Sequence, residues 1–337
     1  MVVTTSGMIE LLQRARRVLV TTHVRPDGDA LGSTAAMCLG LAHKGITAEV
    51  LLLSKLPSKY AFVYNDAGIA YRDVDQGFPA DFSLDAYDTL LVIDTGTWSQ
   101  LPGLRGYVDA FKGTKLVIDH HVTQEDWADA KLVITHAGAA AEIVGELLDT
   151  WGVPLDARIG QPLYVGMVSD TGWFQYSSTR PYTLRLAARL LEAGVDADRL
   201  YQLLYQNERP QRLAMQARAM QSLELLQDER LAVMSVSQKD FADTGAGVND
   251  SEGLINIPLQ VSRVQVSVLL SHPPEGGAIR ISFRSKGSVD VAAFAQQFGG
   301  GGHVRAAGAK IEGELLSVRT RVVNALSEVL ARAAHAE

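Results

Sequence analysis

A chain of 337 residues with 47% hydrophobic side chains is long enough for more than one core, and the length predicts two domains. Its 38 acidic against 31 basic side chains leave a net charge of −7, which excludes a general electrostatic grip on long polyanions; any nucleic-acid substrate should be short or held locally. The single cysteine, Cys38, excludes an intramolecular disulfide and a multi-cysteine metal site.

Residues 1–20 lack a long apolar core followed by a small-residue cleavage site. No later stretch reaches the roughly 20 apolar residues of a membrane span, so a cytoplasmic protein with no membrane partner is expected. After Ser6 as a cap, Ile9, Leu11 and Leu12 recur at helical spacing. Short apolar runs then alternate with helical stretches: VLVTTH from residue 18, a helix over 30–44, AEVLLL at 48–53, TLLVID at 89–94 and KLVIDH at 115–120. Continuous apolar strands separated by helices predict a parallel sheet covered on both faces, with ligands gathered beyond the carboxyl ends of its strands. From residue 140 the pattern turns helical, as far as a segment broken near Pro210 that reads as a connector. Strands near 231–237, 263–270 and 278–284 follow, then a helix, a glycine run, another strand and a final helix. The expected fold is α/β: a parallel-sheet domain over 1–190, a helical connector over 191–228 and a smaller mixed-sheet domain over 229–337.

The polar residues of interest trail the strands. The first runs into His23-x-x-x-Asp27-x-Asp29, the second of interest into Asp94, and the third into Asp119, His120 and His121, while Asp170 follows the apolar run LYVGMV. A lone aspartate at such a place more often caps a helix or makes a turn. Recurrence at four element ends points instead to one cleft, where several carboxylates would repel and raise their own pKa values unless cations join them. Oxygen and imidazole donors without thiolate suit Mn²⁺ or Mg²⁺, and a shared carboxylate can hold two ions about 3.5–4 Å apart, a device for phosphoryl transfer.

The second domain carries a separate signal. Arg284 ends a strand, and four glycines run directly into His303. Consecutive glycines let backbone N–H groups converge on an anion, and the arginine fork matches phosphate, so a phosphate cradle is expected there. Trp173, Phe174 and Tyr176, just past Asp170, read as core or cleft wall in preference to a base-stacking platform.

The segments HVRPDGDALGS, VIDTG, VIDHH and SDTGWF resemble, in order, the four motifs of the DHH phosphoesterases, and SFRS followed by VDVAAFAQQFGGGGHVRAAGA is similar to their C-terminal DHHA1 domain. Within that family the chain resembles the bacterial nanoRNase/pAp-phosphatase subgroup, whose members degrade very short RNAs and remove the 3′-phosphate from 3′-phosphoadenosine 5′-phosphate (pAp). The resemblance implies a catalytic DHH domain and a substrate-binding DHHA1 domain. It implies that His23, Asp27 and Asp94 hold one divalent ion and that Asp29, Asp94, His120 and Asp170 hold the other, Mn²⁺ ahead of Mg²⁺. Asp94 would bridge, His121 would act on the scissile phosphate, and Asp119 would orient a histidine. Ser282, Arg284, Ser285, Gly300, Gly301, Gly302 and His303 would bind substrate. The implied partners are short RNA or DNA oligonucleotides and small phosphorylated nucleotides; a homodimer stays open. Three other readings stay open too: a cyclic- or linear-dinucleotide phosphodiesterase, a RecJ-like single-strand exonuclease and a non-catalytic nucleotide sensor.

Overall fold

The computed structural model describes residues 1–287 and 289–334, and the chain divides into Met1–Asn207 and Glu208–Glu337. The first unit opens with α1 (Thr5–Leu12), capped by Thr4 and not by Ser6. Then follow β1 (Arg17–Thr21), α2 (Gly28–His43), β2 (Thr47–Leu52), α3 (Ala61–Ala67), β3 (Tyr71–Asp73), β4 (Thr89–Ile93), α4 (Arg105–Ala110), β5 (Thr114–Asp119) and β6 (Ala130–Val133). Four helices complete it: α5 (Ala140–Thr150), α6 (Ala157–Asp170), α7 (Pro181–Glu192) and α8 (Ala197–Tyr205). The six strands are all parallel, in the order β3-β2-β1-β4-β5-β6. The order reverses between β1 and β4, and at such a switch point the loops leaving the two strands part to open a crevice. Both strands are buried along nearly their whole length, as a sheet covered on two faces requires.

Small residues set how closely α2 and α6 approach. A Cβ on Gly32 would lie 2.2 Å from the Pro162 carbonyl oxygen, and one on Gly28 would lie 1.9 Å from the Ser169 hydroxyl. These glycines let the start of α2, with Asp29, meet the end of α6, with Asp170.

The second unit holds α9 (Pro210–Gln221), β7 (Glu224–Leu226), β8 (Leu231–Val236), α10 (Gln238–Thr244), β9 (Val266–Ser271), β10 (Ile279–Ser285), α11 (Val291–Gln296), β11 (Gly301–His303), β12 (Ala306–Ile311) and α12 (Leu315–Ala334). Its sheet runs β11-β12-β10-β9-β8-β7, with only β8 and β9 parallel among the described residues. One face packs Val268 and Phe283 with Phe294 and Val322 of α11 and α12; the other packs Met234 with Met215 and Phe241 of α9 and α10. The segment read as a connector is therefore divided: α8 groups with the first unit and α9 with the second. No described helix is long and apolar enough to cross a membrane.

Candidate metal centre

Asp94 stands immediately beyond β4 with a φ of +68°, a left-handed backbone that aspartate tolerates better than most side chains. Its N–H donates to the Ile118 carbonyl at 2.9 Å, so the chain leaves β4 still tied to β5. His23 leaves β1. Asp27 caps α2, accepting on Oδ1 from the N–H groups of Asp29 and Ala30 at 3.0 and 3.1 Å, so the cap reading of this residue also holds. Asp29 is fully buried, and its two oxygens accept from the N–H groups of Ala140 and Ala141 at 2.6 and 2.8 Å, the first turn of α5. Asp170 closes α6, at the helix end where an anion is disfavoured and a cation welcome.

The six predicted ligands meet. His23, Asp27 and Asp94 form one group of donor atoms lying within 4.8 Å of one another, Asp29, His120 and Asp170 form another, and Asp94, His120 and His121 form a third. His23 Nε2 is 3.9 Å from Asp27 and 3.6 Å from Asp94 Oδ2. His120 Nε2 is 3.4 Å from Asp94 Oδ1, 3.2 Å from Asp170 and 3.8 Å from Asp29. The two oxygens of Asp94 thus face the two histidines, one each.

The chemistry of this donor set fits divalent ions. His23 Nδ1 pairs with the Val24 carbonyl at 3.0 Å and His120 Nδ1 with the Ala137 carbonyl at 3.2 Å. Each carbonyl can only accept, which puts the proton on Nδ1 and turns a lone pair on Nε2 toward the carboxylates. His120 Nε2 and Asp94 Oδ1 are buried without a hydrogen-bond partner. Burial opposes a charge on His23, yet Asp27 and Asp94 outweigh it and push the imidazole up to about 10; His120, under the same burial, is pushed up to about 11 by Asp170, Asp94 and Asp29. Burial and the charges of Asp94 and Asp170 hold the Asp29 carboxyl well above its usual range. Lone pairs facing lone pairs call for protons or cations, and metal ions would displace the protons.

Asp119 stands apart from the donor atoms. Its Oδ1 accepts from the N–H groups of His120 and His121 at 2.8 and 3.1 Å and from His121 Nδ1 at 2.8 Å, while Oδ2 accepts from Gln124. It fixes the turn and the ring of His121, which is about half exposed with Nε2 left for other work. Asp119, above all the other groups, raises the pKa of His121.

In the second unit the strand register gathers part of the expected set. Arg284 lies across from Ala306, which lies across from His303; Ser282 lies across from Gly308, which lies across from Gly301. Directly opposed residues share a face, so Ser282, Arg284, Gly301 and His303 line one patch floored by alanine and glycine. Ser285 does not belong to it: the residue is buried and its hydroxyl donates to the Val289 carbonyl at 2.7 Å, a hold on the loop that a ligand contact would break. The glycine run is also no loop-borne nest. Gly301–His303 form an edge strand, Gly300 is small because a Cβ would lie 2.2 Å from the Gly308 carbonyl, and Gly302 has a φ of +145°. Among these, Gly301 alone has open space where a side chain would stand.

Comparison with known proteins follows the same division. Residues 17–167 match the DHH family, N-terminal domain, and residues 228–333 match the DHHA1 domain. The bifunctional oligoribonuclease and PAP phosphatase NrnA of Thermus thermophilus is 30% identical over 94% of this chain and 91% of its own length. Its namesake from Bacillus subtilis is 26% identical over 87% of this chain and 89% of its own. The crystal structure of an exopolyphosphatase-related protein from Bacteroides fragilis shares the fold with a TM-score of 0.81 at 24% identity, covering 97% of this chain and 95% of that one. With a DHH domain that holds the clustered histidines and aspartates and a DHHA1 domain after it, the chain belongs to the DHH family of phosphoesterases.

Proposed function

We propose that this phosphoesterase degrades short oligonucleotides to mononucleotides and removes the 3′-phosphate of pAp, using two divalent ions that share Asp94. The observation that carries the two-ion reading is the division of the Asp94 carboxylate, with Oδ2 toward His23 and Oδ1 toward His120. His23, Asp27 and Asp94 would hold one ion, and Asp29, Asp94, His120 and Asp170 the other. Imidazoles mixed with carboxylates favour Mn²⁺ over the nearly all-oxygen shell of Mg²⁺. Bound there, the ions supply Lewis acidity toward an attacking water and toward the phosphoryl oxygens.

The chain's own groups do the rest. His121, with its ring fixed by Asp119, presents Nε2 to donate to a phosphoryl oxygen or to hand a proton to the leaving oxygen. The patch of Ser282, Arg284, Gly301 and His303 binds a phosphate of the nucleotide, which suits substrates with few phosphates. The substrate reading draws on the names of the relatives, which extend along nearly the whole chain. It is tested by a turnover panel with Mn²⁺: RNA and DNA from two to about twenty nucleotides, cyclic dinucleotides and pAp. Fast release from dinucleotides and pAp with little from the longest strands supports it; preference for long single strands or cyclic dinucleotides overturns it.

The roles of the two adjacent histidines separate experimentally. His120→Ala should weaken metal binding at least the ten- to hundredfold that loss of a supporting partner costs. His121→Ala should keep both ions and lose roughly 10²–10⁴-fold in turnover. Metal stoichiometry of the two variants decides, and equal metal loss would contradict this assignment.

Arg284→Ala should weaken substrate binding by about ten- to a hundredfold, the worth of a charge-assisted hydrogen bond, with metal content unchanged. Gly301→Val should impair dinucleotide turnover without changing the melting temperature, because no heavy atom lies within 4 Å of the added Cβ. Equal losses on a dinucleotide and on a simple phosphodiester reporter would show that the second unit supports the centre itself.

A further inference from the structure

The turn after Asp170 is strained. Gly172, Trp173 and Phe174 have φ of +56°, +58° and +65°, and two of the three carry bulky side chains. Such backbones cost energy and persist where the surroundings hold them for a purpose. Here the turn aims aromatic rings at one place. Trp173 meets Tyr201 and Tyr205 of α8 edge to face, with centroids 5.0 and 5.7 Å apart, and those two tyrosines, one helical turn apart, lie 5.1 Å from each other. Tyr176 folds over Gly172, where a Cβ would come within 2.4 Å of its ring. The Lys59 ammonium lies 4.9 Å from the Tyr205 ring centroid and 5.6 Å from that of Tyr60.

Through Tyr60 the cluster borders the start of α2, where Asp27 and Asp29 stand. Burial, then the Asp27 carboxylate and the Tyr205 phenol, push Tyr60 up to about 12, with Ser169 hydrogen-bonding to it. A Cβ on Gly28, between Asp27 and Asp29, would lie 3.0 Å from the Tyr60 ring. Trp173 and Phe174 pack against the core, as the sequence suggests. Tyr176, Tyr201 and Tyr205 are 60%, 39% and 44% exposed, so core packing does not account for them. Half-exposed aromatic rings next to an ammonium group, bordering a phosphate-cleaving centre, match the chemistry of a nucleobase and its phosphate.

We propose that Tyr176, Tyr201 and Tyr205, braced by Trp173, form a platform on which a base adjoining the scissile phosphate stacks, with Lys59 facing the phosphate. This rests on the nucleotide reading above and adds where the base is held. Because every base has a π face, the platform accepts all four and holds purines more tightly.

The test measures inhibition of Mn²⁺-dependent dinucleotide hydrolysis by 5′-AMP and by ribose 5-phosphate, which lacks the base. In a Tyr201→Ala, Tyr205→Ala double variant the inhibition constant for AMP should rise roughly tenfold or more, while that for ribose 5-phosphate stays within about a factor of two. The corresponding double phenylalanine variant keeps both ring faces and should bind AMP as wild type does. Tyr176→Ala should shift the AMP constant in the same direction without altering α8. An unmoved AMP constant in the alanine variants, or equal weakening of both inhibitors, overturns the platform while leaving the proposed function intact. A wild-type enzyme inhibited by neither compound, with no turnover of dinucleotides, overturns the nucleotide reading and the platform with it.

Discussion

Asp94→Asn is expected to lower hydrolysis of every substrate by about a thousandfold or more, the scale on which removing a group that acts in the transition state is felt. Asparagine keeps the size of the side chain and tolerates the left-handed backbone at this position, so the fold should survive. What it loses is the charge facing both histidines. Oδ1 is buried with no partner and Oδ2 is 3.6 Å from His23 Nε2, so a neutral amide would weaken both halves of the centre at once. Ligands that bind only the folded state raise its stability by mass action. Mn²⁺ should therefore raise the melting temperature of the wild type clearly and that of Asp94→Asn little. Near-wild-type turnover by folded Asp94→Asn at moderate Mn²⁺ would contradict the shared role.

Asp29→Ala should be comparably severe in turnover and should differ in a second readout. Its carboxylate is the acceptor for the N–H groups of Ala140 and Ala141, both buried, and alanine leaves them unsatisfied. Relief of the repulsion from Asp94 and Asp170 offsets part of that loss. The expected net cost is about 1–3 kcal/mol in the metal-free protein, seen as a lower melting temperature without added Mn²⁺. Asp29→Asn keeps one acceptor oxygen and should lie between. Equal metal-free melting temperatures for Asp29→Ala and wild type would show that α5 does not depend on this contact.

The first sheet was legible because its strands are near-continuous apolar runs and its chemistry trails them: residues at 23, 27, 29, 94, 120 and 170 stand at element ends, where period and polarity change together. The support for Asp29 was not legible. It comes from backbone N–H groups more than a hundred residues away, and main-chain donors leave no mark in residue identity. Tyr201 and Tyr205 carry no mark in the sequence for a related reason, since they sit in an ordinary amphipathic helix and only the fold brings them beside Trp173. Glycine is ambiguous by nature. The run at 299–302 reads as a loop because glycine permits any backbone, whereas Gly300 is required by a close strand approach and Gly302 by its torsion. The hold of Ser285 on its loop was not legible, because hydroxyls cap loops as readily as they bind phosphate and the sequence does not say which carbonyl lies nearby.

A two-ion centre sharing Asp94 ties turnover to metal stoichiometry. It is tested most directly by adding Mn²⁺ to the metal-free protein in known equivalents while following bound metal and dinucleotide turnover together. Two ions per chain are expected, with turnover appearing as the second binds and vanishing on chelation. Full turnover with one ion, or turnover that survives complete removal of metal, would rule out a shared two-ion centre.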